Sequence, residues 1–216
     1  MSDKNYDVHI HTDFSDGSSS VRAMVERGVK LRLGTIAIVD HFWPSMGARK
    51  GGISLVKERR ETIELLREEY PQIKILEGVE VDIGSDGSLA PVAGGLEQFD
   101  LVIGSVHWGS DSRHWASAVT GAAERESFDI LGHWNGYLTS YRQEHGAMVA
   151  ETLAMNDIAV ELNSRYELRY EEFLSLTRDK GCMFSVGSDS HHESEVGRIQ
   201  EQLHIANALD LPLLDF

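Results

Sequence analysis

The chain has 216 residues, 41% apolar and 25% charged, as expected of a soluble globular protein long enough to bury a core. Its formal charge of −15 argues against loose, non-specific attachment to nucleic acid or an anionic membrane, because both need a basic surface. No apolar run is long enough to span a bilayer, the opening MSDKNYD lacks a leader's apolar core, and one cysteine, Cys182, has no intrachain disulfide partner and fits a reducing cytoplasm.

In chain order, short β-branched runs bounded by Gly, Asp or Asn predict strands over residues 6–10, 35–39, 73–81, 101–106, 130–131, 159–162 and 184–186. Between them lie stretches with helical spacing. Residues 19–34 read as a capped helix closed by Gly34, and residues 54–70 as an amphipathic helix stopped by Pro71. Residues 144–157, 170–181 and 194–210 follow the same pattern. Strand and helix alternate about seven times, which predicts a parallel sheet closed into an α/β barrel. No linker, repeat or low-complexity segment divides the chain, so residues 1–216 are expected to form one domain.

The strand ends carry the chemistry. The first ends in His9 and His11 and then Asp16, and the second in Asp40 and His41. The third holds Glu77 and Glu80; the fourth ends in His107, the fifth in His133, and the sixth in Glu161 and Asn163. The seventh runs into GSDSHH, with Asp189, His191 and His192. Each of these alone reads as well as an ordinary core or surface side chain. Their equivalent places on successive strands point instead to a site at the C-terminal face, where such barrels keep their active sites. Residues i and i+2 of an extended segment share a side, so His9 and His11 can share one metal, and Asp189 and His191 one pocket, while His192 points away. His114, His145, His192 and His204 fall in predicted loops or helices; only His114, in a predicted loop, stays a candidate for substrate contact.

The ordered set HIHTDFSDG, IVDH, EGVEVD, VIGSVH, ILGH, VELN and GSDSHH resembles the PHP phosphoesterases, named for polymerase and histidinol phosphatase. The resemblance covers most of the chain, and no part of it corresponds to a polymerase. It implies a distorted TIM-like (β/α)7 barrel and up to three divalent ions, zinc, manganese or iron. By the same resemblance, His9, His11, Glu80 and Asp189 hold the first ion. Glu80 bridges to a second, completed by His107 and His133. Asp16, His41 and His191 hold the third, although some members have histidine where Asp16 stands.

Mixed imidazole and carboxylate ligands suit those transition metals better than magnesium or calcium. Three divalent ions opposed by three carboxylates and a bridging hydroxide leave a cluster of about +2, which a phosphate monoester dianion neutralises. Bound metal lowers the pKa of water from about 15.7 to near 7. The expected reaction is in-line attack of that hydroxide on phosphorus, with Glu80 and Asp189 as catalytic carboxylates and Asp189 orienting the nucleophile. Cys182 precedes the seventh strand, at the wrong end of a barrel to act as nucleophile, and reads as buried filler.

Arg49, Lys50, Arg113, Arg142, Arg165 and Arg169 all fall in predicted loops at the catalytic face, a basic rim on an acidic protein. Arg198, placed just inside the last helix, is the preferred phosphate contact and Arg165 the second. A solvated or salt-bridged arginine is the competing reading for each. Trp43, Trp108 and Trp134 each lie within two residues of an expected ligand, as an apolar wall for a ring-bearing leaving group or as packing at the barrel mouth.

The expected function is therefore phosphate monoester hydrolysis on a small cytoplasmic substrate: histidinol phosphate, a nucleotide or a sugar phosphate. A nuclease or phosphodiesterase acting on short single-stranded nucleic acid or dinucleotides is the alternative, opposed by the acidic charge. An amidohydrolase shares such a barrel and ligands but attacks carbon and usually bridges its metals with a lysine, often carboxylated, or a carboxylate; the candidate bridge here is Glu80, and no lysine ends a strand. A purely structural metal module needs sites closed by four protein ligands, and two of those implied here have three.

Overall fold

The computed structural model describes residues 5–216; Met1–Lys4, part of the stretch read as free of a leader's apolar core, lie outside them. Seven strands follow one another in the sheet: β1 (Tyr6–Ile10), β2 (Thr35–Ile38), β3 (Lys74–Asp82), β4 (Leu101–Ser105), β5 (Ile130–Leu131), β6 (Ala159–Asn163) and β7 (Phe184–Gly187). Every neighbouring pair is parallel, as the alternating pattern requires. The two edges meet where His11 N–H donates to Ser190 O at 2.8 Å, so the sheet closes into the expected TIM-like barrel.

Among the described residues, six helices cover it: α1 (Val21–Leu31), α2 (Ile53–Glu69), α3 (Ser112–Arg125), α4 (Gln143–Met155), α5 (Glu172–Asp179) and α6 (Gln200–Ala208). Four expectations need correction. The crossover from β3 to β4 has no helix, because Gly84, Gly87, Pro91, Gly94 and Gly95 interrupt any helical run there. The segment expected to be a loop after β4 instead forms α3, started by Asp111, whose carboxylate accepts from the N–H groups of Arg113 and His114. The last helix begins at Gln200, after Gly197 at φ +78°, so Arg198 lies ahead of it. Helix α1 also ends earlier than read: Arg32, at φ 59°, takes the left-handed cap assigned to Gly34.

All five residues of β1 and all four of β2 and β7 are buried, as expected of strands covered on both faces. One core cluster packs α1 and α2 onto β1–β3 through Met24, Val25, Ile36, Ile38, Ile63 and Leu66. A larger one fills the rest of the barrel and includes Cys182, whose thiol burial pushes up to about 11. Among the described residues, no helix is long and apolar enough to cross a membrane.

Candidate metal centre

Barrel closure gathers side chains that lie up to 182 residues apart, from His9 to His191, at the C-terminal ends of six strands. His9 Nε2 and His11 Nε2 stand 3.1 Å apart. Each lies 3.2 Å from Glu80 Oε2, and Asp189 Oδ1 lies 3.5 Å from His11 and 4.0 Å from His9. Donors about 2.1 Å from a tetrahedral ion stand about 3.4 Å from one another, so these separations have the right scale for one cation. Glu80 then turns its other oxygen elsewhere. Oε1 lies 2.9 Å from His133 Nε2 and 3.6 Å from His107 Nε2, and those two nitrogens are 3.2 Å apart. A third group is looser. His191 Nε2 lies 3.1 Å from Asp16 Oδ2, and donor atoms of His11, Asp16 and His41 fall within 4.8 Å of one another. His41 also faces Glu80, with Nε2 3.3 Å from Oε2.

The far sides of the rings say which nitrogen faces inward. His9 Nδ1 meets Glu161 Oε1 at 2.7 Å, and His107 Nδ1 meets Asp82 Oδ1 at 2.7 Å. His41 Nδ1 lies 3.2 Å from Glu80 O, and His191 Nδ1 lies 3.0 Å from Asp189 O. A proton held on Nδ1 by an outer acceptor leaves the Nε2 lone pair for a metal. Facing Nε2 lone pairs repel unless something cationic lies between them. The residues present therefore fit divalent transition metals.

The electrostatics agree. Burial works against charge at His9, yet Glu161, Glu80 and Asp189 together hold its pKa well above the usual imidazole range. Burial also raises Glu80, but His9, His41 and His107 overcome it and keep the carboxyl well below its ordinary value. Burial, with the His11 and His107 charges, pushes His41 down to about 4 against the pull of Glu80.

Local structure holds the donors in place. The turn carrying Asp16 is tied down by Asp40, which accepts from Thr12 N–H at 2.6 Å, Thr12 Oγ1 at 2.8 Å and Ser15 Oγ at 2.7 Å. Asp40 is itself paired with the fully buried Arg59 of α2 at 3.2 Å. Asp40, at the end of β2 among the metal-capable residues, is thus an anchor, and Glu77 pairs with Arg59 and Arg60 instead of facing the centre. Asp189 and His133 have positive φ, 54° and 21°, a backbone region that residues other than glycine enter only uncommonly.

The cavity over the centre, about 120 Å³, is lined by His11, Asp16, His41, Glu80, His107, His133, Asp189 and His191, with Met46, Tyr137, Arg165 and Tyr166. Arg165 donates to Asp189 O at 3.3 Å, beside the His191 ring. Arg198 lines a neighbouring polar cavity of about 320 Å³, which shares Arg165 and Asp189 with the first. Arg49, Lys50, Arg113, Arg142 and Arg169 are not in the lining of the metal cavity. The tryptophans are not its wall either: Trp134 is buried against Phe173, Trp108 donates to Ile83 O, and Trp43 is half exposed in the loop after β2. Tyr137 and Tyr166 take that place, and no sequence period marks them because both lie in irregular loops. Asp82 and Glu161 escaped assignment as outer partners, although Asp82 stands two residues after Glu80, on the same side of β3. His114 sits exposed on α3, bonded to Asp111 and absent from the lining, and His192 faces Ser194.

The model of the PHP domain matches residues 7–165. The chain belongs to the PHP family. Members of this family are metal-dependent phosphoesterases, the class expected from the strand ends, and residues 7–165 include seven of the nine expected ligands, from His9 to His133. Over 86% of its length the chain is 28% identical to the DNA polymerase/3'-5' exonuclease PolX of Bacillus subtilis, of which it spans only 34%. It is 28% identical to a probable phosphatase of Thermoanaerobacter sp. strain X514, covering 92% of this chain and 84% of that protein. A histidinol phosphate phosphatase from Lactococcus lactis, solved with zinc, L-histidinol and phosphate, has the same PHP barrel, with a TM-score of 0.72 at 21% identity over 95% of this chain and 92% of that one.

Proposed function

We propose that this chain is a single-domain cytoplasmic phosphatase that hydrolyses a small phosphate monoester at a trinuclear metal centre. The observation that carries the reading is the division of Glu80, whose two oxygens face two different sets of imidazoles. His9, His11, Glu80 and Asp189 would hold one ion, Glu80, His107 and His133 a second, and Asp16, His41 and His191 a third. When bound, such ions, zinc, manganese or iron, supply Lewis acidity and a water acidified toward neutral pH.

The chain's own groups do the rest. The Arg165 guanidinium, at the mouth of the cavity, offers paired donors to the non-bridging oxygens and stabilises charge that develops on them. Asp189, buried and held ionised by His9 and His11, accepts a hydrogen bond from the attacking water and orients it. Tyr137 and Tyr166 flank the leaving group and exclude solvent. A cavity of about 120 Å³ suits a terminal phosphoryl group, with the remainder of the substrate outside. Arg198 faces that remainder from the adjoining cavity.

The similarity to the polymerase-linked exonuclease supports the second reading, cleavage of short single-stranded nucleic acid or dinucleotides. Purification without chelator, metal analysis per chain, and a panel of monoesters, dinucleotides and oligonucleotides with and without manganese separate the two. About three ions and turnover confined to monoesters are expected. Turnover of oligonucleotides alone favours the nuclease, and a chain that binds no metal overturns both.

A further inference from the structure

Strand β6 contributes no side chain to the three proposed ligand sets, yet its Glu161 touches two of them. Its carboxylate is buried, with Oε1 2.7 Å from His9 Nδ1 on the side of the ring opposite the centre. Oε2 accepts the backbone N–H of His133 at 2.8 Å and the amide of Asn163 at 3.0 Å. The same Asn163 amide reaches Asp189 Oδ2 at 3.3 Å. Two side chains of one strand thus brace ligands on β1, beyond β5 and beyond β7. The fit is tight: a Cβ at Gly187 would lie 2.2 Å from Glu161 Oε1 and 2.5 Å from His9 Cβ, so only glycine leaves room for the pair.

We infer that Glu161 is the positioning residue that couples the first and second metal sites, holding the His9 proton on Nδ1 and the His133 backbone in its strained turn. The inference rests on the metal-centre reading above. An acceptor behind an imidazole fixes its tautomer and strengthens Nε2 as a donor, and loss of such a partner typically weakens metal binding about 10- to 100-fold. The N–H of His133 is the second anchor. That residue sits at φ 21°, and its Nε2 is the donor closest to Glu80 Oε1. Glu161 serves both ligands at once, so its loss is felt at two sites.

The test is Glu161→Gln in the full chain. Glutamine keeps the volume but removes the charge that serves both contacts, and it sets an amide nitrogen either against His9 Nδ1–H or against the His133 and Asn163 N–H groups. Metal-free wild type and variant are titrated with zinc against a chromophoric chelator, without substrate. Folding is checked by circular dichroism. Two sites are expected to weaken about 10- to 100-fold and the third to stay unchanged, with activity recovered by excess metal. In the zinc-loaded wild type, the His9 Nδ1 proton resonates far downfield, as a carboxylate-bonded proton does, and E161Q loses that signal. A folded E161Q with wild-type zinc affinities overturns the inference and leaves the metal-centre reading intact. A wild type that binds no zinc overturns both. Should E161Q fail to fold, Glu161→Asp decides: it keeps the charge but draws the carboxylate back from His9 Nδ1 and the His133 N–H, and wild-type zinc affinities in that variant also overturn the inference.

Discussion

Glu80 and His133 meet at 2.9 Å across 53 residues of sequence, while the opposite oxygen of the same carboxylate lies 3.2 Å from both His9 and His11. One buried side chain on β3 therefore faces two imidazole clusters. Replacing it by glutamine, which keeps shape but removes charge, should remove at least one bound ion per chain. Turnover should fall by about 100-fold or more, beyond the loss typical of an outer partner. Metal analysis and steady-state kinetics check this; full metal content with unchanged turnover would take the bridge away from Glu80.

Arg165 and Arg198 should behave differently, because only Arg165 lines the cavity over the centre. A hydrogen bond to a charged group is worth about 1.5–3 kcal/mol, so Arg165→Ala should lower kcat/KM about 10- to 100-fold. Arg165→Lys should recover little, since a point charge lacks the paired donors. Arg198→Ala should act mainly through KM, and by an amount that varies from one leaving group to another. Kinetics with two monoesters of different leaving group decide; equal losses for both arginines would contradict the assignment.

The buried pair of Arg59 and Asp40 should matter to stability first and to the site second. Arg59 is fully buried, its guanidinium 4.7 Å from the Phe42 ring, and Asp40 anchors the turn that carries Asp16. Arg59→Met strands a buried carboxylate, which typically costs about 3–5 kcal/mol. Urea unfolding measures it. The variant should also lose affinity at the Asp16–His41–His191 group before the other two.

The metal-free chain should lose stability as pH rises above about 6.5 and on through the raised folded pKa of His9. The His9 pKa in the folded chain is held well above its ordinary 6.5, overcoming the opposing effect of burial, by Glu161, Glu80 and Asp189. A cation favoured in this way contributes stability that is complete below the unfolded pKa and lost as pH climbs through the folded one. His41, pushed down to about 4 chiefly by burial, contributes little slope in this window. Metal displaces the His9 Nε2 proton, so the rise in Tm on adding manganese should widen with pH. Thermal melts of stripped and reloaded chain test it, and a difference constant with pH would contradict it.

Much of this was legible in the linear chain. Strand positions came within a residue or two, because β-branched runs bounded by Gly and Asp are local signals. The donors were legible too: histidines and carboxylates at seven strand ends, with His9 and His11 set two apart to share one side. Helix α3 and the late start of α6 were not, because Asp111 as a cap and the left-handed Gly197 act through conformations that composition does not reveal.

Closure of the barrel decided the rest. Whether Glu80 faces one imidazole cluster or two, whether Glu161 is a ligand or stands behind His9, and which cavity Arg198 enters all depend on approach across the barrel. Residue type and spacing specify what a side chain can bind and which side of its own strand it takes. Distances between strands far apart in the chain are set by sheet curvature, the meeting of β1 with β7, and packing within a few tenths of an ångström, none of which any one segment encodes.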